Sequence, residues 1–315
     1  MPRPSPSCLI ACLCGLVIVA PFAGCGGGTK KRPAMTIAER VRKARSDATP
    51  GGPARELTKV ARIQFGSGDR AGAIKTLEEA RRTIKDDSDA AIFAPRLVEI
   101  ADAYADLADR KSAREAVDEA VGMADRIGDA VARATVLAKA GGVFGGRDGG
   151  LGDATRATEL LAKAASIAES DEVAERFRPQ ALAAVALGYA NANLADEAGA
   201  VLVKLETTAD GLTDFRPKAE ALAAAASVHA KSGAKDKASA LLGRAAEAAK
   251  GIDGPANRAF ALVAVATVMN AVGDGKGVAA LAAEAEKAAA KIADPEQQKD
   301  AQQAIRVLEA SAAKG

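Results

Sequence analysis

Phe177-Arg178-Pro179-Gln180-Ala181 and Phe215-Arg216-Pro217-Lys218-Ala219 stand 38 residues apart and open two copies of one unit. Each opening leads into an alanine-rich apolar run, a small-residue break, and a second such run. The pattern predicts a helix-turn-helix unit, repeated. Pro179 and Pro217 suit the first turn of a helix, where the missing N–H has no intrahelical partner to lose and the fixed φ matches the helix. Pro53, Pro95, Pro255 and Pro295 carry the same mark. The spacings run 42, 84, 38, 38 and 40, and the 84 reads as two units, one without its proline near Ala132. Six helical pairs are therefore expected from about Pro53 to Asp294, with a last helix after Pro295. A sustained period of this length marks a solenoid.

The apolar faces agree. Leu182, Val185, Ala186 and Tyr189 fall at i, i+3, i+4 and i+7, as do Ala198, Val201, Leu202 and Leu205. Leu97, Ile100, Ala101 and Tyr104 repeat the spacing, followed by Ala113, Ala116, Val117 and Ala120. Such spacing collects side chains on one stripe of a helix. No segment sustains the period-two alternation of a strand. Unit three departs most, because Gly141 to Asp153 carries seven glycines. It lacks the Lys-Ser/Thr ending and preceding strand of a phosphate-binding loop. Asp148 and Asp153 alone fall short of the ligand count that calcium needs. The expectation is a long flexible turn exposed to proteases.

Composition narrows the function. The chain holds 43 basic and 41 acidic residues, 3% aromatics and no tryptophan. That balance gives no polyanion-binding signal, and the aromatic scarcity argues against base-stacking surfaces. His229 is the only histidine, so no paired-histidine zinc site is available, and no catalytic dyad is legible. No catalytic residue, metal or cofactor is assigned. In a solenoid of helical pairs, one helix per unit lines a curved groove suited to an extended chain or a partner helix.

The opening residues read as an address. Met1 to Gly24 has one early charge, Arg3, then an apolar stretch from Ser7 to Ala20, and reads as a signal peptide. Its end, Phe22-Ala23-Gly24-Cys25, resembles the lipobox of bacterial lipoprotein precursors, with phenylalanine where leucine is usual. Leu9-Ile10-Ala11-Cys12 is a rival with almost no apolar segment before it. The resemblance implies lipidation of Cys25, a periplasm-facing location in the bacterial cell envelope, and, with Gly26 rather than aspartate next, the outer membrane. Cys8, Cys12 and Cys14 would leave with the signal peptide, and the mature chain would hold no thiol pair. Residues 25–52 read as a basic tether, with Lys30, Lys31, Arg32, Arg40, Arg42, Lys43 and Arg45 against Glu39. Thr36 and Glu39 have capping-box spacing for a short helix.

Residues 53–315 form the expected repeat domain. Gly68-Asp69 followed by Arg70-Ala71-Gly72-Ala73-Ile74, and Ala101-Asp102-Ala103-Tyr104-Ala105 through Asp109, resemble tetratricopeptide repeats. The first-helix tryptophan of that family is missing and the period is longer, and HEAT-type or other αα repeats satisfy the same pattern. The resemblance implies an all-α, right-handed αα-hairpin solenoid of about six repeats plus a C-terminal capping helix. It implies that the first helix of each unit lines the groove. Five residues before the expected turn residue stand Gln64, Tyr104, Val143, Asn191, His229 and Met269. Gln64, Asn191, Asn193, His229 and Asn270 are the candidate partner-binding residues, since amides can pair with a peptide backbone. The functional expectation is a membrane-anchored protein-interaction scaffold for an unidentified protein or peptide. The alternatives are a self-associating structural lipoprotein and an enzyme acting on cell-wall polymers.

Overall fold

The computed structural model describes residues 35–84, 89–146 and 150–313. The signal segment, Cys25 and Lys30 to Arg32 lie outside them, as does Asp148. All the regular structure of the described residues is helical. α1 (Ile37–Arg45) comes first. Six pairs follow: α2 (Gly52–Gly66) with α3 (Arg70–Arg82), α4 (Ala90–Asp106) with α5 (Arg110–Ala124), and α6 (Ala130–Gly145) with α7 (Ala154–Glu169). Then come α8 (Arg178–Asn191) with α9 (Ala195–Gly211), α10 (Phe215–Lys231) with α11 (Lys235–Lys250), and α12 (Pro255–Ala271) with α13 (Gly275–Ala289). α14 (Pro295–Ala312) closes the array. Each first helix packs on its own second helix, on the preceding second helix, and on the neighbouring first helices. The result is an all-α repeat solenoid with one continuous, alanine-rich core.

A leucine column sets the register. Leu57, Leu97, Leu137, Leu182, Leu222 and Leu262 are all buried, at spacings of 40, 40, 45, 40 and 40. One helical turn on stand Ala61, Ala101, Gly141, Ala186, Ala226 and Ala266. Their small size lets the second helix approach closely. Ala73, Ala113, Ala157, Ala198, Ala238 and Val278 face them from the second helices and are buried. The prolines do not hold this register. Pro255 and Pro295 open their helices, Pro53 and Pro179 are one residue further in, and Pro217 is the third residue of α10. Pro95 lies inside α4, whose N-cap is Asp89, so that helix begins well before its proline. In α6 the N–H of Ala132 bonds to the capping Asp129 at 2.7 Å, a bond a proline would forfeit.

The turns between paired helices repeat one geometry. Gly68, Ala108, Gly152, Asn193, Gly233 and Gly273 all take positive φ. Asp69, Asp109, Asp153 and Asp274 follow them and cap the second helix through a backbone N–H three residues on. In α9 and α11 the capping positions are Leu194 and Ala234, which supply no side-chain bond.

The glycine-rich stretch of unit three is corrected by the structure. Gly141 to Gly145 are the last residues of α6, and only the residues after them form the connection. A Cβ on Gly141 would lie 2.6 Å from Leu161, and one on Gly145 2.5 Å from Ala192. On α8, a Cβ on Gly188 would lie 2.5 Å from the Ala138 carbonyl oxygen. These glycines let α6, α7 and α8 pack with almost no side chain between them.

The second helices are tied across repeats by ion pairs. Residues at the end of one helix reach the middle of the next: Arg81 to Glu115 and Glu119, both at 3.0 Å, Asp125 to Lys163 at 2.8 Å, and Glu169 to Lys204 at 2.7 Å. Asp210 pairs with Arg244 in the same way. Arg45, at the end of α1, pairs with Glu79 of α3 by the same 34-residue step that joins Arg81 to Glu115. α1 therefore occupies the place of a second helix. Its capping box forms, with the Thr36 N–H donating to Glu39 at 2.7 Å, and Ala44 is buried against α2.

Candidate functional site

The first helices form a layer with one face on the second helices and the other open. Its chemistry changes along the array. On α2 and α4 the open face is charged: Lys59, Arg62, Arg96, Glu99, Asp102 and Asp106. Arg62 crosses to Asp102 at 2.6 Å, and Arg96 pairs with Glu99 at 2.7 Å. Burial, and then the neighbouring Asp102 carboxylate, raise the Asp106 carboxyl above its ordinary range, against the pull of Arg62.

On α8, α10 and α12 the charges withdraw to the helix ends, as with Arg216, Lys218 and Glu220 at the start of α10 and Lys231 at its end, and leave the middle of each helix uncharged. Residues 179–195, 221–230 and 259–273 contain none. The part-exposed side chains there are Ala183, Ala184, Leu187 and Ala190, then Ala224, Ser227 and Ala230, then Val263, Ala264, Thr267 and Val268. The hydroxyls do not make this face strongly polar. Ser227 donates to the Ala223 carbonyl at 3.1 Å, and Thr267 donates to the Val263 carbonyl at 2.8 Å. Small apolar side chains with bonded hydroxyls form a shallow surface that an apolar segment can cover at little desolvation cost.

The five sequence-predicted binding residues separate into three settings. Gln64 is 6% exposed: Thr76 donates to its side-chain oxygen at 2.7 Å, and its amide nitrogen donates to Asp69 at 3.3 Å. His229 is 9% exposed, with Nε2 2.9 Å from Glu206 of the preceding unit. Both lie beneath the turn, and their polar groups are engaged inside the fold. Asn193 is the positive-φ residue of its turn, a place where asparagine substitutes for glycine. Asn191 and Asn270 lie at the edge of the open face. Asn191 Oδ1 is buried without a hydrogen-bond partner, and Asn270 Nδ2 donates to Ser311 at 3.1 Å.

The structural register also differs from the expected one. The residues equivalent to Gln64 and His229 are Tyr104, Phe144, Tyr189 and Met269, all buried. The backbone bond that closes each turn runs to their carbonyl oxygens, as from Leu194 to Tyr189 and from Ala234 to His229. Asn191 and Val143 fall outside this column. Asp196, the first acid after the turn, lies within the first turn of α9, while Leu194 takes the cap position.

Two open depressions lie away from the first-helix face. One, of about 480 Å³, is bordered by Phe215, Leu222, Arg244 and Glu247 between α10 and α11. The other, of about 270 Å³, lies between α13 and α14. Among the described residues no group of three His, Cys, Asp or Glu side chains is placed to hold a metal ion, and no helix is long and apolar enough to cross a membrane.

No protein-family model and no curated protein sequence matches the chain. Among solved structures it is similar to Ton1535 from Thermococcus onnurineus NA1, at 15% identity over 84% of this chain and 94% of that one, with a TM-score of 0.39. It is similar to BtubC from P. vanneervenii at 16% identity, 67% and 87% coverage, and a TM-score of 0.38. It is also similar to a Rap protein complexed with competence and sporulation factor, at 12% identity, 87% and 80% coverage, and a TM-score of 0.37. The assignment as an all-α helical-repeat solenoid rests on the chain's own helix order and packing.

Proposed function

We propose that the protein is a lipid-anchored interaction scaffold of the bacterial cell envelope, held by acylated Cys25 and facing the periplasm, with the outer membrane as its site. Its partner is a protein or peptide segment bound on the open face of the first helices. The observation that carries this reading is the uncharged middle stretch shared by α8, α10 and α12, in contrast to the charged face of α2 and α4. A contiguous weakly polar patch across the middle of three successive first helices is the kind of surface that a partner covers. An apolar stretch of partner would cover Leu187, Ala224 and Thr267, with Asn191 and Asn270 at its edges. The reading carries no catalytic step.

The test uses a tagged chain beginning at residue 26 as bait in solubilised envelope extract. Variants Leu187→Glu and Thr267→Glu place a charge on the open face, and Gln64→Ala serves as an interior control. The expected result is a partner retained by the parent and by Gln64→Ala if its helicity is native, and lost by both glutamate variants. Retention by all four baits would move the binding surface elsewhere, and capture of nothing but its own copies would favour a self-associating structural role. Anchoring is read separately: Cys25→Ala in the full chain should abolish acyl-label incorporation and membrane partitioning.

A further inference from the structure

Two residues after the leucine column, the outward stripe of the first helices carries Lys139 on α6, then Ala184, Ala224 and Ala264 on α8, α10 and α12. One turn further on stand Leu187, Ser227 and Thr267. The α10 stripe ends at Lys231, one turn after Ser227. Lys139 and Lys231 are both exposed, and neither makes an ion pair among the described residues. α6 is otherwise so enclosed that Lys139 is its one exposed residue among those described. Of the acids on the same stripes, Glu220 is held by Arg216 at 3.2 Å, and Asp300 lies at the start of α14, the opposite end of the helices from Lys231. Two uncompensated cations therefore flank Leu187, one on the helix before it and one on the helix after.

Between those cations the surface has nothing for a bound backbone to pair with. The interior N–H and C=O groups of α8, α10 and α12 are spent within their own helices. The Ser227 and Thr267 hydroxyls donate to the Ala223 and Val263 carbonyls. An extended chain laid there would press its own N–H and C=O groups against alanine and leucine side chains and leave them unpaired, a penalty repeated at every residue. A helix closes those bonds internally and presents only side chains.

We infer that the segment bound on this face is an acidic amphipathic α-helix of the partner protein. It starts over Lys139 and crosses Leu187 and Ser227 toward Thr267. Its apolar side lies on Leu187 and the alanines, one carboxylate meets Lys139, and a second meets Lys231. The place of binding rests on the open-face reading above, whereas the helical form and acidic charge of the partner rest on the spent hydroxyls, Lys139 and Lys231. Packed helices stand ~8–10 Å apart, and seven residues along a helix cover ~10 Å, so the two lysine positions are roughly 20 Å apart. Carboxylates about fourteen residues apart, close to four turns, span that distance on one face of a helix.

The experiment is fluorescence anisotropy with residues 26–315 and three labelled synthetic peptides, each about twenty residues long, or ~30 Å as a helix. The first carries a leucine face bordered by two glutamates fourteen positions apart, the second has lysines in their place, and the third is the first with a central proline. The glutamate peptide should bind saturably. The lysine peptide should bind about tenfold more weakly, as the loss of two exposed ion pairs implies. The proline peptide should bind about a hundredfold more weakly. Lys139→Glu/Lys231→Glu, at exposed positions, should reverse the preference between the first two peptides with helicity unchanged, and about 1 M salt, where the Debye length is ~3 Å, should erase it. Equal binding of the proline peptide, equal binding of the lysine peptide, an unchanged preference in the double variant, or no binding of the glutamate peptide by a parent of native helicity overturns the inference. Envelope capture that is lost in Leu187→Glu while the glutamate peptide fails to bind would leave the open-face reading standing without the helix. Capture indifferent to Leu187→Glu would remove the open-face reading itself.

Discussion

Gly188 and Gly199 are both helical glycines, with opposite consequences. A Cβ at Gly188 would meet the Ala138 carbonyl at 2.5 Å, whereas at Gly199 it would meet nothing within 4 Å. Gly188→Ala is expected to destabilise by ~1–3 kcal/mol, because α6 and α8 must separate. Gly199→Ala should stabilise by ~0.5–1 kcal/mol through backbone entropy and propensity. Urea midpoints of the two variants against the parent decide both signs. Tyr104 offers a test by pH. Its phenol is pushed up to about 12, by burial first and then by the carboxylates of Glu78 and Asp109. The unfolded chain releases that proton near ~10, the folded chain only at the higher value. Stability from this group is therefore intact below the lower pKa and is lost as pH rises between the two. Thermal midpoints should fall faster above pH ~10 in the parent than in Tyr104→Phe.

Between helices, the ion-pair ladder offsets an unfavourable placement. Asp125, Glu169 and Asp210 sit at helix C-termini, where the helix dipole disfavours an acid. Lys163, Lys204 and Arg244 on the following helix supply the missing positive charge. All three pairs are substantially exposed, so each contributes little, and salt screens it. Arg244→Ala should cost no more than ~1 kcal/mol at low salt and less at high salt. The exchanged pair Asp210→Arg/Arg244→Asp should recover that loss. Thermal denaturation at two ionic strengths measures both. An equal cost at both would mean that Arg244 acts through its aliphatic stem instead.

For the whole molecule, the C-terminal end of the array is distinguished by the face that its last helix presents. α14 continues the register of α12: Pro255 to Pro295 is 40 residues, and Ile305 is buried where Val265 is. Where α12 places Leu262, Ala266 and Met269 against α13, α14 places Gln302, Arg306 and Glu309, all exposed. The face that would accept another helix has become polar, which makes α14 a cap. Gln302→Leu/Arg306→Ala/Glu309→Met should restore the docking face and cause concentration-dependent association, read by light scattering on a sizing column. A variant that remains monomeric at high concentration would place the cap's effect elsewhere.

The sequence by itself determined the repeat. The two Phe-Arg-Pro openings, the i, i+3, i+4, i+7 stripes of units two and four, and the Gly-Asp turns were enough for six hairpins and a final helix, because the periods of helices and turns are written locally. The leader and the lipidation of Cys25 are proposals from the sequence and fall outside the described residues. The exact depth of each helix in its repeat was not local. Proline tolerates the first, second or third helical position equally, so it marks a helix start without fixing which side chains face the core. Leu182 and Leu222 fix that, and only packing shows it. Tertiary structure alone turned the glycines of unit three from a loop into a close helix contact. It alone placed Gln64 and His229 under their turns, because burial depends on residues 12 and 23 positions away that engage their polar atoms. The uncharged runs of α8, α10 and α12 could be read in one dimension, but that they share a face follows only from first helices packing on first helices.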